Sequence, residues 1–119
     1  MLHLAIELAE GNDRYPKWSL GAVITKGGSV FGKGINKKRN DPRFNPNGVG
    51  CSEHAEIAAL RDARKSDLNN AIIFVARIGR NGELAMARPC NDCREALLDA
   101  GIKKVVFTTS TGELEVERI

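Results

Sequence analysis

Apolar residues recur along the chain at helical spacing in one early segment and in short runs elsewhere. The spacing over residues 2–10 predicts a helix that ends at Gly11-Asn12-Asp13, a suitable C-terminal cap. The runs at residues 20–25 and 29–35 flank Lys26-Gly27-Gly28, which is typical of a β-hairpin with a glycine turn. The chain therefore begins with a helix followed by two antiparallel strands.

The rest of the chain alternates between helical and strand patterns joined by short turns. Helices are predicted at residues 54 to about 66 and 90 to about 100, and strands at residues 71–77, 103–109 and 113–119. The predicted order is α-β-β-α-β-α-β-β. Only residues 110–112 separate the last two strands, whereas a parallel return needs about a dozen residues. The last two strands must therefore be antiparallel.

Composition and charge narrow the class of protein. The 119 residues, 42% of them hydrophobic, suit a single domain over residues 1–119 with its own core. The apolar start is too short and, with Glu7 and Glu10, too charged for a signal segment or a membrane span, so we expect a cytoplasmic protein with no membrane partner. A net charge of +3 permits nucleic-acid binding but does not require it.

Two short motifs carry the candidate chemistry. His54-Ala55-Glu56 and the later Pro89-Cys90-Asn91-Asp92-Cys93 supply three metal ligands and one further carboxylate. The Cys-x-x-Cys pair in a chain with three cysteines favours metal binding over a disulfide framework. A structural zinc site is normally closed by a fourth side chain, which is absent here at an obvious spacing, whereas a catalytic site keeps that position for water. The motifs predict one catalytic Zn²⁺ per chain, bound by His54, Cys90 and Cys93.

Glu56 is the predicted catalytic residue. Zinc lowers the pKa of a bound water from 15.7 towards roughly 7, and the resulting nucleophile needs a proton carrier beside it. Glu56 lies two positions after His54, or roughly 200° around a helix, so the two side chains can share a pocket only at the helix N-terminus. Pro89 suits the start of another helix, where the dipole favours thiolates. We therefore expect two helix starts to converge on the metal.

The same residues resemble the zinc-dependent cytidine and deoxycytidylate deaminase superfamily, which also includes tRNA adenosine deaminases and nucleic-acid-editing cytosine deaminases. The resemblance covers nearly the whole chain, since residues 18–24 are similar to the first strand of that family and Gly34-Ile35-Asn36 to the end of its second strand. It implies a three-layer α/β fold of the cytidine deaminase type. Such a fold has a five-stranded mixed sheet, helices on both faces and antiparallel C-terminal strands.

The resemblance also implies the reaction and its substrate contacts. The expected reaction is hydrolytic deamination of a cytosine base to uracil with release of ammonia, on a nucleoside, a nucleotide or single-stranded nucleic acid. Asn36 is either a turn residue or a contact to the sugar, and Trp18 is either a core aromatic or a stacking partner of the base. Backbone groups of Ala55 are expected to contact the base, and Arg88 is a candidate for phosphate or substrate contact. A homo-oligomer is expected.

The first metal ligand has a competing register. Cys51-Ser52-Glu53 directly precedes His54 and imitates the Cys-x-Glu form of free-nucleoside cytidine deaminases. The apolar residues Ile57 and Leu60 continue a helix best from His54, which favours the His54 register. Cys51 would then be a thiol near the site. In the other register, Cys51 would be the ligand and Glu53 the catalytic carboxylate.

Basic residues concentrate in two stretches of the chain. Lys37-Lys38-Arg39 and Arg43 belong to a segment that connects Asn36 to His54, so it is either a solvated loop or a phosphate contact. We predict that it favours a phosphorylated substrate. Residues 77–82 are predicted to form an exposed turn without a role in the site.

Two alternative functions share the predicted metal ligands. A nucleic-acid-editing deaminase acting on tRNA adenosine or on cytosine would be expected to have a helix between its last two strands or a large basic and aromatic surface. With aromatic residues at 5% of the chain, stacking surfaces are scarce. A non-catalytic structural zinc module is disfavoured because it would lack a fourth ligand and would leave Glu56 without a purpose.

Overall fold

The computed structural model describes residues 2–11, 19–39, 51–64, 66–79 and 82–119. The helices and strands in these ranges follow the predicted alternation, with three short strands added. In chain order they are α1 (Leu2–Glu10), β1 (Ser19–Lys26), β2 (Ser29–Ile35), β3 (Lys37–Arg39), β4 (Cys51–Glu53), α2 (Ala55–Asp62), β5 (Ile72–Ile78), β6 (Leu84–Ala85), α3 (Asn91–Ala100), β7 (Lys104–Thr108) and β8 (Leu114–Arg118).

The main sheet has the strand order β2-β1-β5-β7-β8. Only β5 and β7 are parallel among these neighbours, and the final pair β7 and β8 is antiparallel. The predicted five-stranded mixed sheet with antiparallel C-terminal strands is therefore confirmed along this path. The two-residue strand β6 pairs with the end of β5 as a sixth strand, and β3 and β4 form a separate two-stranded sheet.

Helices cover both faces of the sheet because successive strand residues point to opposite sides. On one face, Ala5 of α1 packs with Val23 and Ala76. The other face carries α2 and α3, where the buried core includes Ile24, Leu97 and further aliphatic side chains together with Phe107. This arrangement confirms the predicted three layers. Within the described ranges, no helix combines the length and the apolar character that a membrane crossing requires.

Two local predictions were wrong. Helix α2 ends at Asp62 instead of about residue 66, because Ala63 is its C-cap and Ser66 N–H donates to Ala63 O at 2.8 Å in a tight turn. The basic residues after Asn36 were assigned to a loop, but their backbone forms β3, with Arg39 opposite Cys51. A strand of three residues is too short to produce a recognisable hydrophobic period.

The start of α2 lies directly against β2 at Gly34. A Cβ atom on Gly34 would come within 2.4 Å of both Ala55 O and Ala59 N, which are backbone atoms of α2. Only glycine permits this approach. Because His54 immediately precedes α2, the glycine also determines how deeply the first predicted metal ligand lies over the sheet.

Gly34→Ala is therefore expected to lower the free energy of unfolding by about 1–3 kcal/mol, the usual cost of overpacking. Chemical denaturation measures the change. Gly11→Ala is the matched control, since its added Cβ would come no closer than 3.4 Å to Glu7 O. Equal stability of the Gly34→Ala and wild-type proteins would contradict the close packing of α2 on β2.

Candidate metal centre and active site

The first residues of α2 and α3 lie side by side, with a predicted metal ligand at the N-cap of each. His54 caps α2 with φ −73° and ψ 148°, and Cys90 caps α3 with φ −69° and ψ 169°. Neither side chain makes the capping hydrogen bond that Ser, Thr, Asp or Asn usually provides at this position. Both caps therefore present their side chains to a shared space outside the helices.

The imidazole of His54 and the two thiols form a cluster of donor atoms. His54 Nδ1 lies 3.1 Å from Cys93 Sγ and 3.6 Å from Cys90 Sγ, and the three donors all lie within 4.8 Å of one another. Tetrahedral zinc, with Zn–S near 2.3 Å and Zn–N near 2.0 Å, separates such donors by about 3.6 Å. The spacing and the borderline-soft character of the donors therefore fit Zn²⁺.

Glu56 is buried beside this cluster. Its side chain is 3% exposed, and its Oε1 has no hydrogen-bond partner within the part of the chain that the structure describes. Burial raises the pKa of Glu56, although a hydrogen bond from its own backbone, the charge of His54 and a contact with Cys93 act in the opposite direction. A buried acceptor normally has a partner. A water or a substrate in the adjoining cavity can supply one, which suits a proton carrier.

Cys93 is the most enclosed member of the donor cluster. It is 2% exposed, whereas His54 and Cys90 are exposed. Burial raises the pKa of the Cys93 thiol well above its usual range, and the charge of Glu56 and the proximity of Cys90 act in the same direction. A thiol binds zinc as the thiolate, so metal binding has to displace the Cys93 proton.

A cavity of about 260 Å³ opens over the cluster. The predicted site residues Asn36, His54, Ala55, Glu56, Arg88 and Cys90 all line it. Its volume is close to the lower end of the range for small-molecule sites. The structure therefore brings one titratable carboxyl, the candidate metal donors and the start of a helix to one concave site.

The structure describes two of the predicted substrate contacts, Asn36 and Arg88, but not Trp18. Asn36 is 3% exposed, and its Oδ1 accepts a hydrogen bond from Leu20 N at 2.9 Å, so the amide braces β1 against the end of β2 as well as lining the cavity. Arg88 lines the cavity and contacts Glu117, with Nε 3.0 Å from Oε2. Trp18 lies outside the described residues. Its role, and the sugar contact of Asn36, stay predictions.

The choice of His54 over Cys51 as the first ligand stays a prediction. So does the phosphate contact of the basic cluster, which consists of Lys37, Lys38, Arg39 and Arg43. Cys51 lies in β4, three positions before His54, but its side chain is outside what the structure describes. The same holds for the side chains of Lys37, Lys38 and Arg39 in β3, and for all of Arg43.

Arg77 was not predicted to belong to the site. Arg77 is predicted to end a strand over residues 71–77 and to begin an exposed turn over residues 77–82. It lies in β5, which confirms the strand, but it is half-buried and lines the cavity instead of lying in an exposed turn. Its Nη1 donates to Met86 O at 3.5 Å, and its backbone N–H donates to Thr108 Oγ1 at 3.2 Å. The twofold strand period could have located it, because Ile73 and Val75 pack in the core beneath α2 and Arg77 continues their side.

Most of the chain matches a known protein family. Residues 1–109 match the family described as the cytidine and deoxycytidylate deaminase zinc-binding region, and the chain belongs to that family. The predicted resemblance is confirmed. The match includes the three candidate metal donors and Glu56.

The chain is similar in sequence to a longer deaminase. The chain is 30% identical over 114 residues to a tRNA-specific adenosine deaminase of Haemophilus influenzae, a match covering 92% of this chain but 57% of that protein. The chain thus spans little more than half the length of this relative.

Two solved structures share the fold. A dCMP deaminase from the cyanophage S-TIM5, in complex with dCMP and dUMP, has a TM-score of 0.66 at 21% identity, over 91% of this chain and 77% of that one. A cytidine deaminase from Burkholderia pseudomallei has a TM-score of 0.66 at 24% identity, over 98% and 91% of the respective chains. These likenesses confirm the cytidine deaminase-like fold.

Proposed function

We propose that this chain is a zinc-dependent hydrolytic deaminase that converts the cytosine base of a nucleoside or nucleotide into uracil. The overall reaction adds one water at C4 of the ring and releases one ammonia. One observation supports this most strongly: the buried Glu56 carboxyl, with an unpartnered oxygen, adjoins three zinc-compatible donors at a cavity. A structural zinc module has no need of such a carboxyl.

In this proposal His54, Cys90 and Cys93 hold one Zn²⁺. The metal supplies an activated water near neutral pH. Glu56 would accept the first proton of the water and deliver it to the ring nitrogen. It would then take the second proton, from the hydroxyl added at C4, and pass it to the departing amine, which leaves as ammonia. Burial raises the pKa of Glu56 above its ordinary value, which is the direction that favours a carboxyl acting as a proton carrier.

The cavity offers groups that could hold the substrate. Ala55 is the first residue of α2, where backbone N–H groups have no partner inside the helix and can meet a polar edge of the base. Asn36 is proposed as the sugar contact, and Trp18 as the stacking partner of the base. Arg88, whose side chain is 58% exposed, is proposed to contact a phosphate or another polar group at the rim.

An adenosine deaminase acting on tRNA is the second candidate. The 30% identity to a tRNA-specific adenosine deaminase favours it. The direct antiparallel connection from β7 to β8 favours the cytidine branch instead, because the resemblance implies a helix at this point in the editing branches. Three other expectations stay predictions: that residues 1–119 form one domain, that the protein assembles into a homo-oligomer, and that it is cytoplasmic.

A panel of substrates tests the proposal. Cytidine, deoxycytidine, their monophosphates, adenosine, a single-stranded oligonucleotide and tRNA would each be assayed for released ammonia with zinc-loaded protein. The proposal requires ammonia from at least one free cytosine nucleoside or nucleotide. Ammonia from tRNA or adenosine alone would establish the second candidate.

The basic cluster makes a phosphorylated substrate the preferred one. Replacing Lys37, Lys38 and Arg39 together by Gln is expected to lower kcat/KM for the monophosphate while leaving the nucleoside nearly unchanged. Added salt should reduce the wild-type preference, since the Debye length is about 8 Å at physiological ionic strength. Equal losses on both substrates would indicate a disturbed pocket, and no loss on either would leave the cluster as a solvated strand.

A further inference from the structure

The carboxylate of Glu117 contacts two arginines that bracket the Cys-x-x-Cys segment. Arg88 directly precedes Pro89 and Cys90, and Arg94 directly follows Cys93. Arg88 Nε lies 3.0 Å from Glu117 Oε2, and Arg88 Nη2 donates to Oε1 at 3.2 Å. Arg94 Nη1 donates to the same Oε1. One side chain on β8 therefore reaches both ends of the segment that carries two candidate zinc ligands.

The geometry distinguishes this cluster from an ordinary surface ion pair. Arg88 uses two nitrogens on the two oxygens of Glu117, and such paired hydrogen bonds fix direction as well as distance. Partial burial pushes the pKa of Glu117 upwards, but hydrogen bonding and the charges of Arg88 and Arg94 outweigh it, so the pKa lies below its ordinary value. The carboxylate is therefore ionised wherever the protein works near neutral pH.

The strand that carries Glu117 is itself held firmly. Glu117 is paired with Val105 of β7, and Ile119 N–H donates to Lys103 O at 3.1 Å. Ile119 also packs against the core beneath α2 and α3. Glu117 thus connects the metal-binding segment to the sheet. It lies beyond residues 1–109, which the family model matches.

We propose that Glu117 is a positioning residue for the metal centre. By holding Arg88 and Arg94, it keeps the segment between them in place, so that Cys90 and Cys93 lie at ligand spacing from His54 Nδ1 before the metal binds. The inference rests on the proposed zinc site. In this role, β8 contributes to metal retention without contacting the metal.

Zinc affinity of Glu117→Gln, measured by competition with a chromogenic chelator, tests this role. Gln keeps the shape of the side chain but loses the charge and the paired acceptor oxygens. Affinity is expected to fall about tenfold, the lower end of the loss on removing groups that orient metal ligands. Glu117→Asp keeps the charge but is one methylene shorter, so we expect a smaller loss. Glu115→Gln, on the same face of β8, is the matched control and should bind zinc as the wild type does.

The thermal unfolding of the metal-free proteins separates positioning from general stability. Both guanidinium groups stay partly exposed to solvent, which screens their charge and limits what the ion pairs add to folding, so metal-free Glu117→Gln should melt close to the metal-free wild type. Unchanged zinc affinity in both Glu117→Gln and Glu117→Asp would overturn the proposal. If Glu117→Gln fails to fold, Glu117→Asp alone decides, and wild-type affinity in that variant overturns it. Wild-type protein that binds no zinc would instead refute the proposed metal site.

Discussion

Glu56→Gln is expected to lose turnover by at least about 10²- to 10⁴-fold while keeping its fold and one zinc per chain. The substitution removes the group that carries the proton but none of the candidate metal donors, which are His54, Cys90 and Cys93. Gln also preserves the volume of a side chain that is 3% exposed, so no cavity is created. Steady-state ammonia release and zinc content of the same preparation measure the two effects.

Glu53→Gln is the matched control for this prediction. Glu53 lies in β4 and is the catalytic carboxylate only in the register that uses Cys51 as the ligand. It should retain turnover. The assignment of Glu56 would be wrong if Glu56→Gln lost zinc together with activity, or if Glu53→Gln were the inactive protein.

Cys93→Ser is expected to lose zinc almost completely and to unfold more easily than the wild-type protein. A ligand contributes directly to metal binding. Removing it should therefore lower zinc affinity by more than the roughly 10- to 100-fold that follows removal of a group that only orients a ligand. Metal binding is also coupled to folding, and Cys93 is a buried residue of α3 at 2% exposure. Zinc content after dialysis and the thermal midpoint report the two losses.

Cys51→Ser is the matched control for Cys93→Ser, because it also replaces a thiol by a hydroxyl, at a position three residues before His54. It should keep one zinc per chain. A zinc-free Cys51→Ser protein, together with a zinc-bound His54→Ala protein, would move the first ligand to Cys51.

Periodicity and turn chemistry were sufficient to locate the strands of the main sheet, whereas its mixed five-stranded arrangement was implied by the family resemblance. The short connection at residues 110–112 required the antiparallel pair β7 and β8, and short runs of apolar residues located β1, β2, β5 and β7. The short strands β3, β4 and β6 were missed because two or three residues carry no measurable period. Pairing with distant backbone, which is a tertiary effect, creates them.

The candidate metal donors were predictable because their identity and spacing reflect local chemistry. His54 and Cys90 at helix N-caps, and Cys93 one turn into α3, follow from the motifs and a helix start after Pro89. Glu117 was not predictable in the same way. It reaches Arg94 across 23 positions of sequence, and no local pattern specifies which acid on an edge strand will meet which arginine.

Arg88 shows how the structure refines a sequence prediction. Its position before Pro89 identified it as a candidate substrate contact, and it does line the cavity. The guanidinium is also held by Glu117, so any substrate contact uses its remaining N–H groups. The sequence indicated its proximity to the site, but not the partner that orients it.

The most direct test of the central claim is the conversion of a cytosine substrate by protein carrying one zinc per chain. Cytidine and deoxycytidine monophosphate would be incubated with zinc-loaded wild-type and Glu56→Gln protein, and the base and ammonia would be quantified together. We expect equal amounts of uracil-containing product and ammonia from at least one substrate with the wild type, and neither with the variant. Zinc-loaded wild-type protein that left both substrates, as well as the bare nucleosides, unchanged would contradict the proposed function.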